Sequence, residues 1–226
     1  MPRIPQPPGA RGSLKWIQRA VNRPQLLNQA IRTRLNLPGA DEIEWCSPLE
    51  ADAYAEYGDE AALERLQIPV LREPLQRFWP KRGPQWDALA RCRDRVILVE
   101  AKAHIPEVVS SPSKAQGHSR TRIRGRLNDV KRSLGAKAPA DWSGTFYQYA
   151  NRLAYLHWLR SHHVPAFLVS VYFTNAPDVP QPVTSAAEWN GALTVIRTYL
   201  GLGRQHPLKP FVIDVFVDVD EIRRSR

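Results

Sequence analysis

The sequence predicts an α/β (α+β) fold, with a helix, three antiparallel strands, one or more helices, a further strand, and then an added helix and strand. Three observations predict it. The run Val96-Ile97-Leu98-Val99 is short, rich in β-branched residues and preceded by the charged turn Arg91 to Arg95, as expected of a buried strand. The segment Trp142 to Arg160 places Phe146, Tyr149, Ala150, Leu153 and His157 on one helical stripe. Val164 to Thr174 instead alternates, with Phe167, Val169, Val171 and Phe173 on one face of a strand. At 226 residues the chain can hold one domain with a sizeable core.

The elements follow in order. Residues 1–12, with Pro5, Pro7, Pro8 and Gly9, read as a basic arm that packs no core of its own. Ser13 can cap a short helix, and Pro24 can start another that runs to about Leu35. Leu37-Pro38-Gly39 is a stop signal, so residues 1–40 form a basic N-terminal arm and helical extension and 41–226 the main domain. Ser47-Pro48 opens a longer predicted helix to about Leu66, with Leu49, Ala53, Tyr54, Tyr57 and Ala61 on its apolar stripe. Glu56, Glu60 and Glu64 lie along a neighbouring face, and Gly58 weakens the interior. Residues 68–79 hold the expected first strand, limited by Pro69 and Pro74, and a hairpin over Trp86 to His104 follows. After a Pro- and Ser-containing loop come a basic helix (Lys114 to Leu134), the Trp142 helix and the Val164 strand. A helix around Ala186 to Leu200 and a last strand from Phe211 to Val219 complete the chain.

Charge is unevenly distributed in a chain whose formal net charge is +10. Residues 1–40 carry seven basic residues and no acid, and residues 41–79 carry ten acids against three arginines. Residues 113–138 return to positive, with Lys114, Arg120, Arg122, Arg124, Arg126, Lys131, Arg132 and Lys137 against Asp129 alone. Basic blocks flanking an acidic stretch suit a polyanion gripped on both sides, which points to nucleic acid as partner, with Arg120, Arg122, Arg124, Arg126, Lys131 and Arg132 as candidate contacts. No aliphatic run approaches a membrane span, the start lacks the apolar core of a signal peptide, and Cys46 and Cys92 follow no metal or disulfide spacing. The expectation is a cytoplasmic protein in a reduced setting that does not engage membranes.

The chemistry concentrates in the hairpin. If a loop over Cys92 to Arg95 pairs Arg91 with Val96, Asp87 falls opposite Glu100. Glu100 and Lys102 share a face because strand side chains alternate. Two acids and a lysine thus converge at a sheet end, an arrangement that is costly without a compensating cation. A metal site is the natural reading.

Asp87, the aliphatic run and Glu100-Ala101-Lys102 resemble the signature of the PD-(D/E)XK nuclease superfamily, although Trp86 stands where the family name has Pro. The resemblance strictly covers Pro84 to Lys102, and the order of elements extends it over most of residues 45–175. It implies a restriction-endonuclease-like αβββαβ core, a central mixed sheet flanked by helices, with N- and C-terminal elaborations. It also implies a metal-dependent nuclease acting on phosphodiester bonds of DNA, with Asp87, Glu100 and Lys102 as catalytic residues. Asp87, Glu100 and the backbone carbonyl of Ala101 would hold Mg²⁺, with Mn²⁺ as substitute, a hard cation suited to oxygen ligands. Similar nucleases often draw a further acid from the first core helix, for which Glu56 or Glu60 is the candidate. Several also use a helical Gln in a Gln-x-x-x-Tyr pattern; here Gln148 is followed by Arg152, so that pattern is unmatched and Gln148 is an accessory candidate. The competing reading is a catalytically inactive nucleic-acid-binding module on the same fold, and a third is a basic adaptor whose Glu-x-Lys is accidental. Homodimerisation is common among similar enzymes that cut both strands, and nothing in the sequence reports on it.

Other constellations are weaker. His104 lies on the strand face of Glu100 and Lys102, where a structural histidine is the more frequent case than a phosphate contact. Asp214, Asp218 and Asp220 share a face of the last strand without a partner lysine, and Gly201-Leu202-Gly203 is too short for a nucleotide loop.

Overall fold

A computed structural model describes residues 3–38, 41–179 and 182–224; Gly39 of the stop signal lies outside them. The described residues form a mixed α/β structure with two sheets. The larger has five strands in the spatial order β2 (Glu44–Ser47), β5 (Ala88–Cys92), β6 (Arg95–Lys102), β7 (Ala166–Thr174) and β8 (Val212–Asp218). Its first two pairings are antiparallel and its last two parallel. The smaller sheet joins β1 (Arg3–Ile4), β3 (Glu56–Gly58) and β4 (Gln85–Trp86).

Period-2 alternation on β6 and β7 buries both faces of the large sheet. Val96, Leu98, Leu168 and Tyr172 point to one side, where α5 (Gly117–Ser133), α6 (Tyr147–Ser161) and α7 (Ala186–Tyr199) supply Leu127, Leu153, Leu156 and Trp189. Ile97, Val99, Val169 and Val171 point to the other, against α1 (Gly12–Asn22), α2 (Gln25–Leu35) and α8 (Val219–Arg224). Trp16, Ile17, Leu27 and Ile31 are buried there, so residues 12–35 supply one wall of a sheet core.

The hairpin has the expected pairing, with Arg91 opposite Val96 and Ala88 opposite Val99. It extends one pair further than expected, to Cys92 opposite Arg95, leaving Arg93-Asp94 as the turn; Arg93 takes the left-handed conformation (φ 55°) that tight hairpin turns demand. Of the later elements, β7 and α7 fall within two residues of where the sequence puts them and α5 within three, whereas α6 starts five residues later than expected, because Phe146 takes the left-handed conformation (φ 63°).

Two element assignments fail, Ser13 lies inside α1 and does not cap it, and Asp220 lies in α8 and not on the last strand. The helix predicted from Ser47 to Leu66 is instead a short 3-10 turn (Glu50–Asp52), then β3, then α3 (Asp59–Arg65). Ala53, Tyr54 and Asp59 all adopt positive φ, which no right-handed helix can pass through, and Tyr57 and Gly58 pair with Trp86 and Gln85. The strand predicted in 68–79 is a 3-10 turn (Pro69–Leu71) leading into α4 (Arg72–Phe78). Pro69 and Pro74 sit in first turns, where no backbone N–H is required, and Leu71, Leu75 and Trp79 are buried at four-residue spacing. The first strand of the large sheet is β2, at its antiparallel edge.

Candidate active site

Asp87 stands where the chain passes from β4 in the small sheet to β5 in the large one. It belongs to neither ladder, and its Oδ2 accepts the N–H of Ala101 at 2.7 Å. The side chain therefore takes a bond that a continuing ladder would have used, which fixes the carboxylate at the end of β6. Glu100 and Lys102 project from that same end, two residues apart, and Lys102 Nζ donates to Glu100 Oε1. Continuing the Tyr57–Trp86 register by one place brings Glu56 alongside Asp87. Glu56 on β3, Asp87 at the crossing from β4 to β5 and Glu100 on β6 thus line up in one row, and Ser170 and Asp214 extend it over β7 and β8.

Sequence reasoning missed Arg152. It projects from α6 with 4% of its surface exposed and donates to Glu100 Oε2 at 2.7 Å, Gln85 O at 2.6 Å and Asn151 Oδ1 at 3.0 Å. Its guanidinium also lies 4.6 Å from the Trp86 ring centre. The available signal was its position: α6 is buried from Ala150 to Tyr155 without a break, and an arginine within such a helix needs a carboxylate.

The electrostatics separate the acids. Burial pushes Asp87 up, the Glu100 charge adds to it, and its carboxyl reaches about 7. Burial also raises Glu56, helped by Glu100 and opposed by a hydrogen bond from Gln6. Burial alone would raise Glu100 as well, but Arg152 and Lys102 hold it below the ordinary range. Lys102, opposed by burial, is raised by Glu100 and Asp87, so it stays an ammonium at neutral pH. The site is a cluster of three acids and two bases in which one acid is neutralised directly and two are not.

That imbalance bears on metal binding. Among the described residues no group of three or more His, Cys, Asp or Glu side chains is arranged as a metal cage. Mg²⁺ needs no such cage, because it keeps several waters and is held by one or two carboxylates. Asp87, whose charged form lacks a cationic hydrogen-bond partner, and the adjoining carbonyl of Ala101 fit that donor set. Glu100 fits it when one of its two bound cations yields an oxygen.

The remaining candidates fall in different places. Glu60 lies away from the site, accepting from Gln76 at 2.6 Å. Gln148 lines a cavity of about 20 Å³ together with Glu100, Lys102, Tyr149, Arg152 and Ser170. That is room for one water, behind Glu100, and not for a substrate. His104 is buried, with both ring nitrogens unpartnered among the described residues, so it does not face a ligand in solvent. Asp214 accepts from Arg197 at 2.5 Å and is no rival metal site. The chain matches no protein-family model, no curated protein and no solved structure.

The basic helix α5 buries Ile123, Leu127 and Val130 and turns its charges outward. Arg122 and Arg126 donate to the carbonyls of Gln76 and Arg77, Lys131 to that of Ala140 at 2.8 Å. Arg124 pairs with Asp141 at 3.1 Å, Arg132 with Asp129 at 2.6 Å, and Arg120 is exposed near Asp141.

Proposed function

We propose that the protein is a divalent-cation-dependent nuclease of the PD-(D/E)XK kind, with a restriction-endonuclease-like core, that hydrolyses phosphodiester bonds of DNA. The observation that carries this reading is the meeting of Asp87, Glu100 and Lys102 at the end of β6, with Asp87 pinned to the Ala101 N–H. Asp87, Glu100 and the Ala101 carbonyl would hold Mg²⁺ or Mn²⁺, with Glu56 alongside as a further acid. Bound there, such a cation supplies charge neutralisation at the phosphate and activation of a water nucleophile. Lys102, kept protonated by its two carboxylates, donates hydrogen bonds to the attacking water or to a phosphate oxygen and stabilises the charge that builds in the transition state. An ammonium held in that state is no general base. Arg152 fixes the Glu100 carboxylate from behind, and the arginines of α5 offer contacts to the DNA backbone.

One observation favours a second reading. Both oxygens of Glu100 are engaged, by Lys102 and Arg152, as they would be in an inactive binding module whose ion pairs replace the metal. Incubation of the purified protein with linear, circular and single-stranded DNA in Mg²⁺ or Mn²⁺, beside EDTA and Lys102→Ala controls, separates the two. Cleavage abolished by both controls supports the nuclease, and salt-sensitive binding without cleavage supports the module.

A further inference from the structure

A large cleft lies away from α5. It has a volume of about 580 Å³ and runs between α1, α8 and the segment before β3, where Lys15, Arg19, Arg23 and Arg223 meet Glu50 and Tyr54. Three of its four cations come from the N-terminal stretch that contains no acid. Lys15, Arg19 and Arg23 recur every fourth residue, so they form one stripe along α1 and its C-terminal cap, about 6 Å apart along the axis. Arg19 and Arg23 are exposed, Arg223 is exposed and paired with Asp220 at 3.2 Å, and Lys15 is tied to Asp178 at 3.4 Å.

The cleft is also walled. Gln18, 4% exposed, accepts the Gly9 N–H at 2.7 Å and donates to the Pro7 carbonyl at 3.0 Å, which fastens the N-terminal arm along one side. A Cβ on Gly9 would come within 2.5 Å of the Lys15 backbone, so only glycine permits that approach. On the far side Asn22 accepts the Glu50 N–H at 2.9 Å and donates to the Pro48 carbonyl at 2.8 Å.

The segments that form two sides of the cleft continue to residues beside the acids. Tyr54 lines the cleft, and Glu56 lies two residues further along the same segment, about 7 Å in extended chain. Pro8 and Gly9 line it too, and Gln6, just before them, hydrogen-bonds Glu56. Seven ångströms is about two base-pair rises along the axis of a duplex.

We propose that this cleft, and not chiefly the outer face of α5, grips the phosphate backbone of the nucleic acid and delivers it to Glu56, Asp87 and Glu100. The proposal rests on the nucleic-acid reading above. Concave form and the mixture of arginine, amide and tyrosine groups suit a strand with phosphates and bases, and a flat anionic membrane could not enter it.

The test uses the full chain carrying Lys102→Ala, in EDTA, with fluorescein-labelled single- and double-stranded oligonucleotides read by anisotropy over a salt series. Adding Arg19→Ala, Arg23→Ala and Arg223→Ala should weaken binding equally across sequences. It should also flatten the slope of log affinity against log salt by about 2 to 3, since each phosphate contact contributes roughly 0.7 to 0.9. Lysine at the same three positions should restore the slope, which a misfolded protein would not do. The triple change Arg120→Ala, Arg122→Ala and Arg124→Ala on α5 should flatten it less. An unchanged slope in the cleft variant, or the larger loss in the α5 variant, overturns the proposal while leaving nucleic-acid binding intact. Competition by polyglutamate as effective as that by DNA at equal charge overturns it in favour of an acidic protein partner. A parent protein that binds neither oligonucleotide overturns the nucleic-acid reading itself.

Discussion

Replacing Arg152 by Met removes a buried cation while keeping an unbranched side chain in its place. The guanidinium holds Glu100 Oε2 at 2.7 Å, with side chains only 5% and 10% exposed, and it also satisfies the Gln85 carbonyl. Removing one member of such a pair leaves an under-compensated charge in the interior and costs about 3–5 kcal/mol. For a chain of this size each kcal/mol lowers the melting temperature by roughly 2–4 °C, so Arg152→Met should melt about 6–20 °C below the parent near neutral pH. The pH dependence carries the sign. In the parent, Glu100 is held below its ordinary range, so its contribution is present above its unfolded pKa and is lost as pH falls through the folded one. Without Arg152, only Lys102 opposes burial, so Glu100 is held down less and takes up a proton more readily. The difference between the two proteins should therefore be largest at about pH 7 and shrink as pH falls through the ordinary carboxylate range near about 4. Adding Glu100→Gln to Arg152→Met should cost less than the sum of the single changes, a coupling readable in a double-mutant cycle from urea melts. A penalty below about 1 kcal/mol, or one independent of pH, would falsify the claim that Arg152 holds Glu100 as an ion.

Asp87→Asn should behave oppositely. With the Asp87 carboxyl raised to about 7, folding stability in EDTA is lost as pH rises from the ordinary carboxylate range to 7. The asparagine variant should escape that loss, by at most about 4 kcal/mol, in melts scanned against pH. Mg²⁺ should raise the melting temperature of the parent and leave Asp87→Asn unmoved; an equal rise in both would place the cation elsewhere. Lys102→Met should abolish cleavage and leave oligonucleotide affinity close to the parent's, as read by gel and anisotropy side by side. Ser185 caps α7 in a reciprocal box with Glu188, so Ser185→Ala should cost about 1 kcal/mol in a chemical melt and leave any DNA cleavage unaffected.

Local periodicity and covalent spacing account for what was legible in the residues alone. Four aliphatics ending in Glu100-Ala101-Lys102 make a strand with the two charges on one face, and a short loop that pairs Arg91 with Val96 is all it takes to carry Asp87 to the same end. Helices α5, α6 and α7 and strands β7 and β8 were legible for the same reason: their apolar repeats agree with the core they meet. Leu71, Leu75 and Trp79 held a legible helical repeat too, obscured by two prolines that sit harmlessly in first turns.

The rest depends on long-range packing. Glu56 reaches the acids from a three-residue strand whose pairing with Trp86 and Gln85 overrides the helical pattern around it, and a strand that short has no period to read. The partner of Arg152 is 52 residues away, so its role depends on α6 packing across the end of β6. The basic cleft likewise exists only because α1, α8 and the Glu50–Tyr54 segment close on one another. Each of these features is a contact between segments distant in sequence, and its energy comes from burial and charge pairing that form once the sheet has assembled.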